Sequence, residues 1–592
     1  MRSSVPGFVV ISALVVLLAP AASDARGRSP LEALKQQYLD GLFQAKPHLA
    51  TFFGDHRFDD RLPDLSDGAL KARERQLVAQ QKRLQAMGAG KASLDDQIDR
   101  DILADGIALE LLYLREIKDW TWDPRLYDSF PYYDPREVVA GRLSDMIHGD
   151  YAPEADRRKA VIAQLSALPR YLQQAGAALK TPSKVYLDQA IKDNEGRIAF
   201  FDADVRDFVK GDAAGEKARL EAVAALQRFQ HFLQTDLPSR ATHDWRLGAD
   251  LYRKKFPLAL QTRMTLEEVI PIAKAEFARS RAELYAVSRR LHVQLWPGEA
   301  QPPVDADAAS QARVIGRVKD EIAKDHPKAA ELVQAHARNL DRLRAFIEHH
   351  DLLTLPPRES LSVVAMPEFK RGSSAAEYLA PGVLDKTPTF HATYYVDPVD
   401  PTWPPERVEE YMRGENDYSV ELTAAHEAYP GHHTQFSYER KDLNPLRAVL
   451  WNGAMVEGWA VYAEGLLVHL GYGDAKNDRY RFDDVKGRMI CATNILIDIQ
   501  LQSGMMTDEE AVRFMVEDGF QERAVAERKL LRAKLDSTQL AQYFLGLNEI
   551  EALERDYRAK VGAAFTQRAF DEALIGHGSI AVKHLRRYLL GE

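Results

Sequence analysis

Apolar positions along most of this chain recur at the three-to-four spacing of amphipathic helices. Ser29-Pro30 reads as a helix start, because proline is tolerated in the first turn. Between Leu94 and Lys118, Ile98, Ile102, Leu109 and Leu112 form one apolar stripe. The stretch 153–178 continues the pattern but carries Pro169, which predicts two helices or a kink. Residues 183–209, 214–233, 266–291 and 308–349 read as further long helices whose stripes are core. Two breaks interrupt the rhythm. One is the aromatic, proline-bearing loop from Trp120 through Tyr127 to Tyr133, and the other is the proline-rich surface excursion from Trp296 to Ala306.

After Pro356 the period changes. Residues 361–366 and 389–396 are short, β-branched and aromatic, and predict two strands of a small sheet, with turns marked by Pro381, Gly382 and Pro388. An extended substrate could add itself beside the strand Phe390 to Val396. Helical pattern resumes at Pro405 and is broken near Gly473, Gly504 and Gly519, with a capping box at Thr507-x-x-Glu510. The expected fold class is mainly α: one large helical domain over residues 26–592 with a small sheet insert. It divides into an N-terminal helical lobe to about residue 355 and a second lobe from about residue 356.

Composition narrows the function. Apolar content of 45% and charged content of 28% are those of a folded globular chain. A net charge of -10 with no long basic run argues against nucleic acid as a partner. Arg2 followed by the apolar run Phe8–Leu18 and small residues through Ser23 reads as an export signal of about 25 residues, too short for a membrane span. The expectation is a soluble periplasmic or extracellular protein with no stable membrane span once that signal is removed. Cys491 is the only cysteine, so no intramolecular disulfide can form, and its apolar neighbours make it a core residue.

One stretch states a chemistry. His426-Glu427-Ala428-Tyr429-Pro430-Gly431-His432-His433 packs three of the 17 histidines into eight residues, and Glu457 follows some two dozen residues later. Histidine beside glutamate, another histidine nearby and a distant acid is how zinc peptidases assemble one metal ion. His426 is the first expected ligand and Glu427, about 100° round the helix, the general base. In the ordinary H-E-x-x-H motif the second histidine would stand where this chain has Pro430. On a straight helix His432 would lie about 240° from His426, and His433 in phase but about 10.5 Å further along. Pro430 removes an N–H and Gly431 permits almost any backbone, so the helix must break and return a histidine to the metal. A two-residue bulge selects His432 and a three-residue one His433; the pattern leaves both open. Glu457 is the expected third ligand, and Glu464, two turns on, a carboxylate behind the ligands or a substitute for one. Tyr543 is the expected oxyanion donor and Arg528 a partner for a substrate carboxylate.

The string at 426–433 resembles the hallmark of the domain of unknown function 885 family of bacterial proteins. Glu457-Gly458-Trp459-Ala460 with Tyr462-Ala463-Glu464, Gln539-x-x-x-Tyr543-x-x-Gly546 and Gly54-Asp55 are similar to further blocks of that family. The resemblance implies a helical, gluzincin-like fold with a deep cleft, of the thimet-oligopeptidase and angiotensin-converting-enzyme type, in which two histidines and a glutamate hold zinc and short peptides enter. The expected function is therefore an exported zinc metallopeptidase, an exopeptidase or oligopeptidase. The rivals are a non-catalytic metal- or peptide-binding protein with the same channel, a metallohydrolase of non-peptide amides or esters, and a helical scaffold with structural histidines.

Overall fold

The computed structural model describes residues 29–87, 92–130, 136–366, 371, 374–386, 390–441 and 443–592. The apolar run Phe8–Leu18, the end of the aromatic loop and the Pro388 turn lie outside the described residues. Helix makes up 71% and strand 3%, so the class is mainly α with a small sheet.

Long helices form where the apolar stripes predict them: α1 (Leu94–Leu112), α2 (Glu154–Ala178), α3 (Lys184–Phe200), α4 (Ala213–Thr235) and α5 (Leu266–Leu295). Side-chain caps start several of them, Ser93 for α1 and Asp212 for α4, and Thr265 closes a capping box on α5. Pro169 lies inside a single helix, not between two. The stretch 308–349 divides into Ala308–Ile322 and α6 (Leu332–His349).

The strand region holds one strand more than its sequence pattern shows. With the two-residue pair β1 (Tyr127–Asp128) and β2 (Arg136–Glu137) counted first, the sheet consists of β3 (Leu361–Ala365), β4 (Ala376–Leu379) and β5 (Ala392–Val396). Its order is β3-β5-β4, with β3 parallel and β4 antiparallel to β5. The strand ending at Val396 is thus central and cannot offer an edge; β3 and β4 are the two edges among the described residues, and β4 is the one that lines the cavity at His426. Ala392, Tyr394 and Val396 alternate inward, and the Tyr394 hydroxyl meets His336 Nδ1 of α6 at 2.6 Å.

The C-terminal part supplies α7 (Asp417–Glu427), α8 (His432–Glu439), α9 (Gly453–His469), α10 (Asn477–Gln502), α11 (Arg523–Leu535) and α12 (Ala541–Val561). Thr507 forms the expected capping box, and Cys491 is buried in α10. The principal apolar core runs from Leu31 to Leu585 and draws on both sides of residue 355. A second core joins Leu126–Leu237, chiefly α2, α3 and α4.

Candidate metal centre

α7 begins at Asn416, whose side chain accepts from the Tyr418 and Ser419 N–H groups. It is anchored through Glu421, which is buried and accepts from Arg342 Nε at 2.6 Å and from the Tyr480 hydroxyl at 2.5 Å. The helix ends at Glu427, and a new one, α8, starts at His432. Between them the Tyr429–Pro430 peptide is cis. The Gly431 N–H donates to the Ala425 carbonyl at 3.0 Å, folding the chain back over the last turn. A Cβ on Gly431 would lie 1.8 Å from the His426 carbonyl oxygen, so only glycine fits this return. The Trp459 indole N–H donates to the Pro430 carbonyl at 3.1 Å, tying the break to α9.

The break brings His432 back to His426. Their rings lie 4.7 Å apart at 86°, and Glu457 Oε2 stands 3.4 Å from His426 Nε2 and 3.8 Å from His432 Nε2. Donor atoms of His426, His432 and Glu457 all fall within 4.8 Å of one another. His433 goes elsewhere. Its Nε2 is 2.9 Å from the Ser360 hydroxyl and its Nδ1 3.2 Å from that of Tyr378, and its ring stacks on Phe390. The structure therefore separates the two histidines that the sequence left open, and His433 faces the sheet and not Glu457.

Asn452 caps α9 by accepting from the Met455 N–H at 2.7 Å, which sets the phase of Glu457. Glu464, two turns on, accepts from His426 Nδ1 at 2.6 Å. The His426 ring thus spans two carboxylates of one helix, and in the neutral ring a proton held on Nδ1 by Glu464 leaves Nε2 as the lone-pair donor. Burial opposes charge on this imidazole, yet Glu457 and Glu464 together hold it well above the usual histidine range. Burial pushes His432 down to about 4, aided by the neighbouring His426, and pushes Glu427 up to about 7.

A cavity of about 570 Å³ opens on the group, lined by His426, Glu427, His432, Glu457 and Tyr543 and by the edge strand β4. Tyr543 accepts from Arg532 Nη2 at 3.2 Å. Arg528, the arginine singled out from the sequence, lines the same cavity, but its charge acts on Glu415 and Tyr411. Arg532 follows it by one helical turn on α11, and nothing in the sequence chooses between two arginines at that spacing. Tyr378 and Glu439 also line the cavity and were not legible beforehand.

The donor set could hold a metal ion: two imidazoles and a carboxylate converge, and Glu457 Oε2 is buried with no hydrogen-bond partner.

Two solved structures resemble the whole chain. A candidate lipoprotein of unknown function from Shewanella oneidensis is 26% identical, with a TM-score of 0.79 over 95% of this chain and 100% of that one. A candidate lipoprotein from Colwellia psychrerythraea is 16% identical, with a TM-score of 0.75 over 95% and 99%, and shares the fold. No curated protein matches in sequence. The profile of a family described as bacterial proteins of unknown function, DUF885, matches residues 47–589, and the chain belongs to that family.

Proposed function

We propose that this chain is an exported zinc-dependent peptidase that hydrolyses short peptides. The observation that carries the reading is the meeting of His426, His432 and Glu457 in one cavity with Glu427 and with β4, an edge strand of the sheet among the described residues. Export is supported by the basic-then-apolar N-terminal pattern and by the description of both structural neighbours as candidate lipoproteins. Among the described residues no helix is long and apolar enough to cross a membrane.

His426, His432 and Glu457 would hold the ion, with Glu464 fixing the His426 tautomer. A zinc ion there supplies Lewis acidity toward a carbonyl and toward water. Glu427 takes a proton from the attacking water and returns it to the leaving amine. The Tyr543 hydroxyl donates to the carbonyl oxygen as negative charge develops, and Arg532, donating to the tyrosine oxygen, strengthens it as a donor. The β4 edge, residues Ala376–Leu379, aligns an extended backbone by adding it as a strand.

Glu427→Gln tests the reading on a mixed library of peptides and esters. Zinc content should stay at wild-type level while peptide hydrolysis falls by at least about 10²-fold, the lower range for a lost acid–base group. Hydrolysis indifferent to the substitution refutes the mechanism, and turnover of esters but not peptides refutes the substrate class.

A further inference from the structure

A second cavity, of about 580 Å³, lies in the seam between the principal core and the second core. Tyr113 and Phe130 of the one core and Leu126, Tyr171 and Leu179 of the other line it. Among the described residues Tyr127 alone lines both this cavity and the metal cavity. The volume falls within the roughly 300–1,000 Å³ of small-molecule sites. Its lining runs from exposed Asp64 and Gln76 to fully buried Phe130. Tyr113 and Tyr171 are only 6% and 5% exposed, yet both hydroxyls keep accessible surface and neither has a hydrogen-bond partner. Both feel the charge of Asp128, which lines the same cavity.

One acid of this wall lacks a counter-ion. Glu110 is paired with Arg73, Asp123 with Arg125, Asp128 with Lys46, and Asp64 at the rim with Arg170. Asp119, in the turn Asp119–Thr121, forms no ion pair among the described residues. Its Oδ1 accepts from the Trp120 N–H at 3.0 Å, while Oδ2 keeps accessible surface and has no partner. The charges that act on this carboxyl, Asp128, Lys46 and Asp123, all line the cavity. Burial, and then Asp128 beside it, push the carboxyl up to about 7. The matching ligand brings a cation with several donors on an apolar body, and the faces of aromatic rings favour a cation too. We propose that this cavity is a second ligand site, separate from the metal group, that takes a small organic amine. Its ammonium pairs with Asp119, and its apolar body lies among Tyr113, Phe130 and Tyr171.

Binding of three probes to the full chain at about pH 8, where Asp119 is ionised, tests it by ligand-observed NMR. Phenethylamine, 2-phenylethanol and phenylacetate share one body and end in an ammonium, a hydroxyl and a carboxylate. Phenethylamine should bind about 10-fold or more tightly than 2-phenylethanol, the scale of one hydrogen bond to a charged group, and phenylacetate should bind most weakly. Asp119→Asn keeps the acceptor for the Trp120 N–H and removes the charge. It should bring phenethylamine to the level of 2-phenylethanol, leave the alcohol unchanged and melt no lower than wild type. Ala69→Trp, at a position that lines this cavity and not the metal cavity, should weaken all three probes. No binding of phenethylamine, equal affinity for the three probes, or an ammonium preference that survives Asp119→Asn overturns the proposal. Undiminished binding to Ala69→Trp overturns it as well, because the amine then sits elsewhere. Should Asp119→Asn fail to fold, the wild-type ranking together with Ala69→Trp decides the question.

Discussion

Gly458 and Gly546 touch backbone to backbone. A Cβ on Gly458 would lie 2.5 Å from the Gly546 Cα, and one on Gly546 would lie 1.7 Å from the Ala454 carbonyl oxygen. This crossing lets α9 and α12 approach closely enough to bring Tyr543, one turn before Gly546, to the cavity that Glu457 faces. Gly546→Ala must push the helices apart. It should cost at least about 2 kcal/mol in urea unfolding, the range for overpacking a tight core. A variant as stable as wild type would show that the crossing relaxes freely.

The split between His432 and His433 gives a sharp metal-content test. His426→Ala, His432→Ala and Glu457→Gln should each lower zinc well below the roughly one ion per chain of a single site. His433→Ala should keep zinc and lose stability, on the order of 1 kcal/mol, by removing the ring that the buried Ser360 hydroxyl and the half-buried Tyr378 hydroxyl both meet. Elemental analysis beside thermal melts decides it. Zinc lost with His433 and kept without His432 would reverse the assignment.

Glu464 orients His426 from behind. Glu464→Gln should weaken zinc binding about 10- to 100-fold, as losing a carboxylate behind a ligand does, and leave the fold intact. Competition against a chelating dye measures this. An unchanged affinity would mean that Asn452 capping and the Trp459 tie hold the site without it.

His336 predicts acid lability away from the metal group. It is fully buried beneath Tyr394, and burial drives it down to about 3. Free histidine titrates near 6.5, so between those values the unfolded chain binds the extra proton. The contribution is full above about pH 6.5 and is lost as pH falls toward 3, on the order of 4 kcal/mol. His336→Asn, which keeps an acceptor for the Tyr394 hydroxyl, should flatten that part of the pH dependence of urea unfolding. Identical pH slopes in the two proteins would exclude His336 as a source.

Sequence pattern alone determined the helical class, the strand-rich interruption after Pro356, the cap at Thr507 and the break at Pro430-Gly431. Each of these follows from local chemistry: apolar period, a side chain within reach of its own backbone, a missing N–H, a missing Cβ. The same local logic could state that a histidine must return to His426 but not which one. His432 and His433 are adjacent, and what separates them is Tyr378 of the sheet and Ser360 just before it, 55 and 73 residues earlier in the chain than His433. Strand β4 has no signature in the sequence because four residues, Ala-Glu-Tyr-Leu, show no alternation, and their extended form comes from pairing with β5. That pairing makes β5 central, against the edge role its richer pattern suggested. Arg532 over Arg528 and the contact of Gly458 with Gly546 were likewise decided only by tertiary structure. Which face of a helix meets a cavity, and which glycine meets another, depends on how elements far apart in sequence pack, and no local period records it.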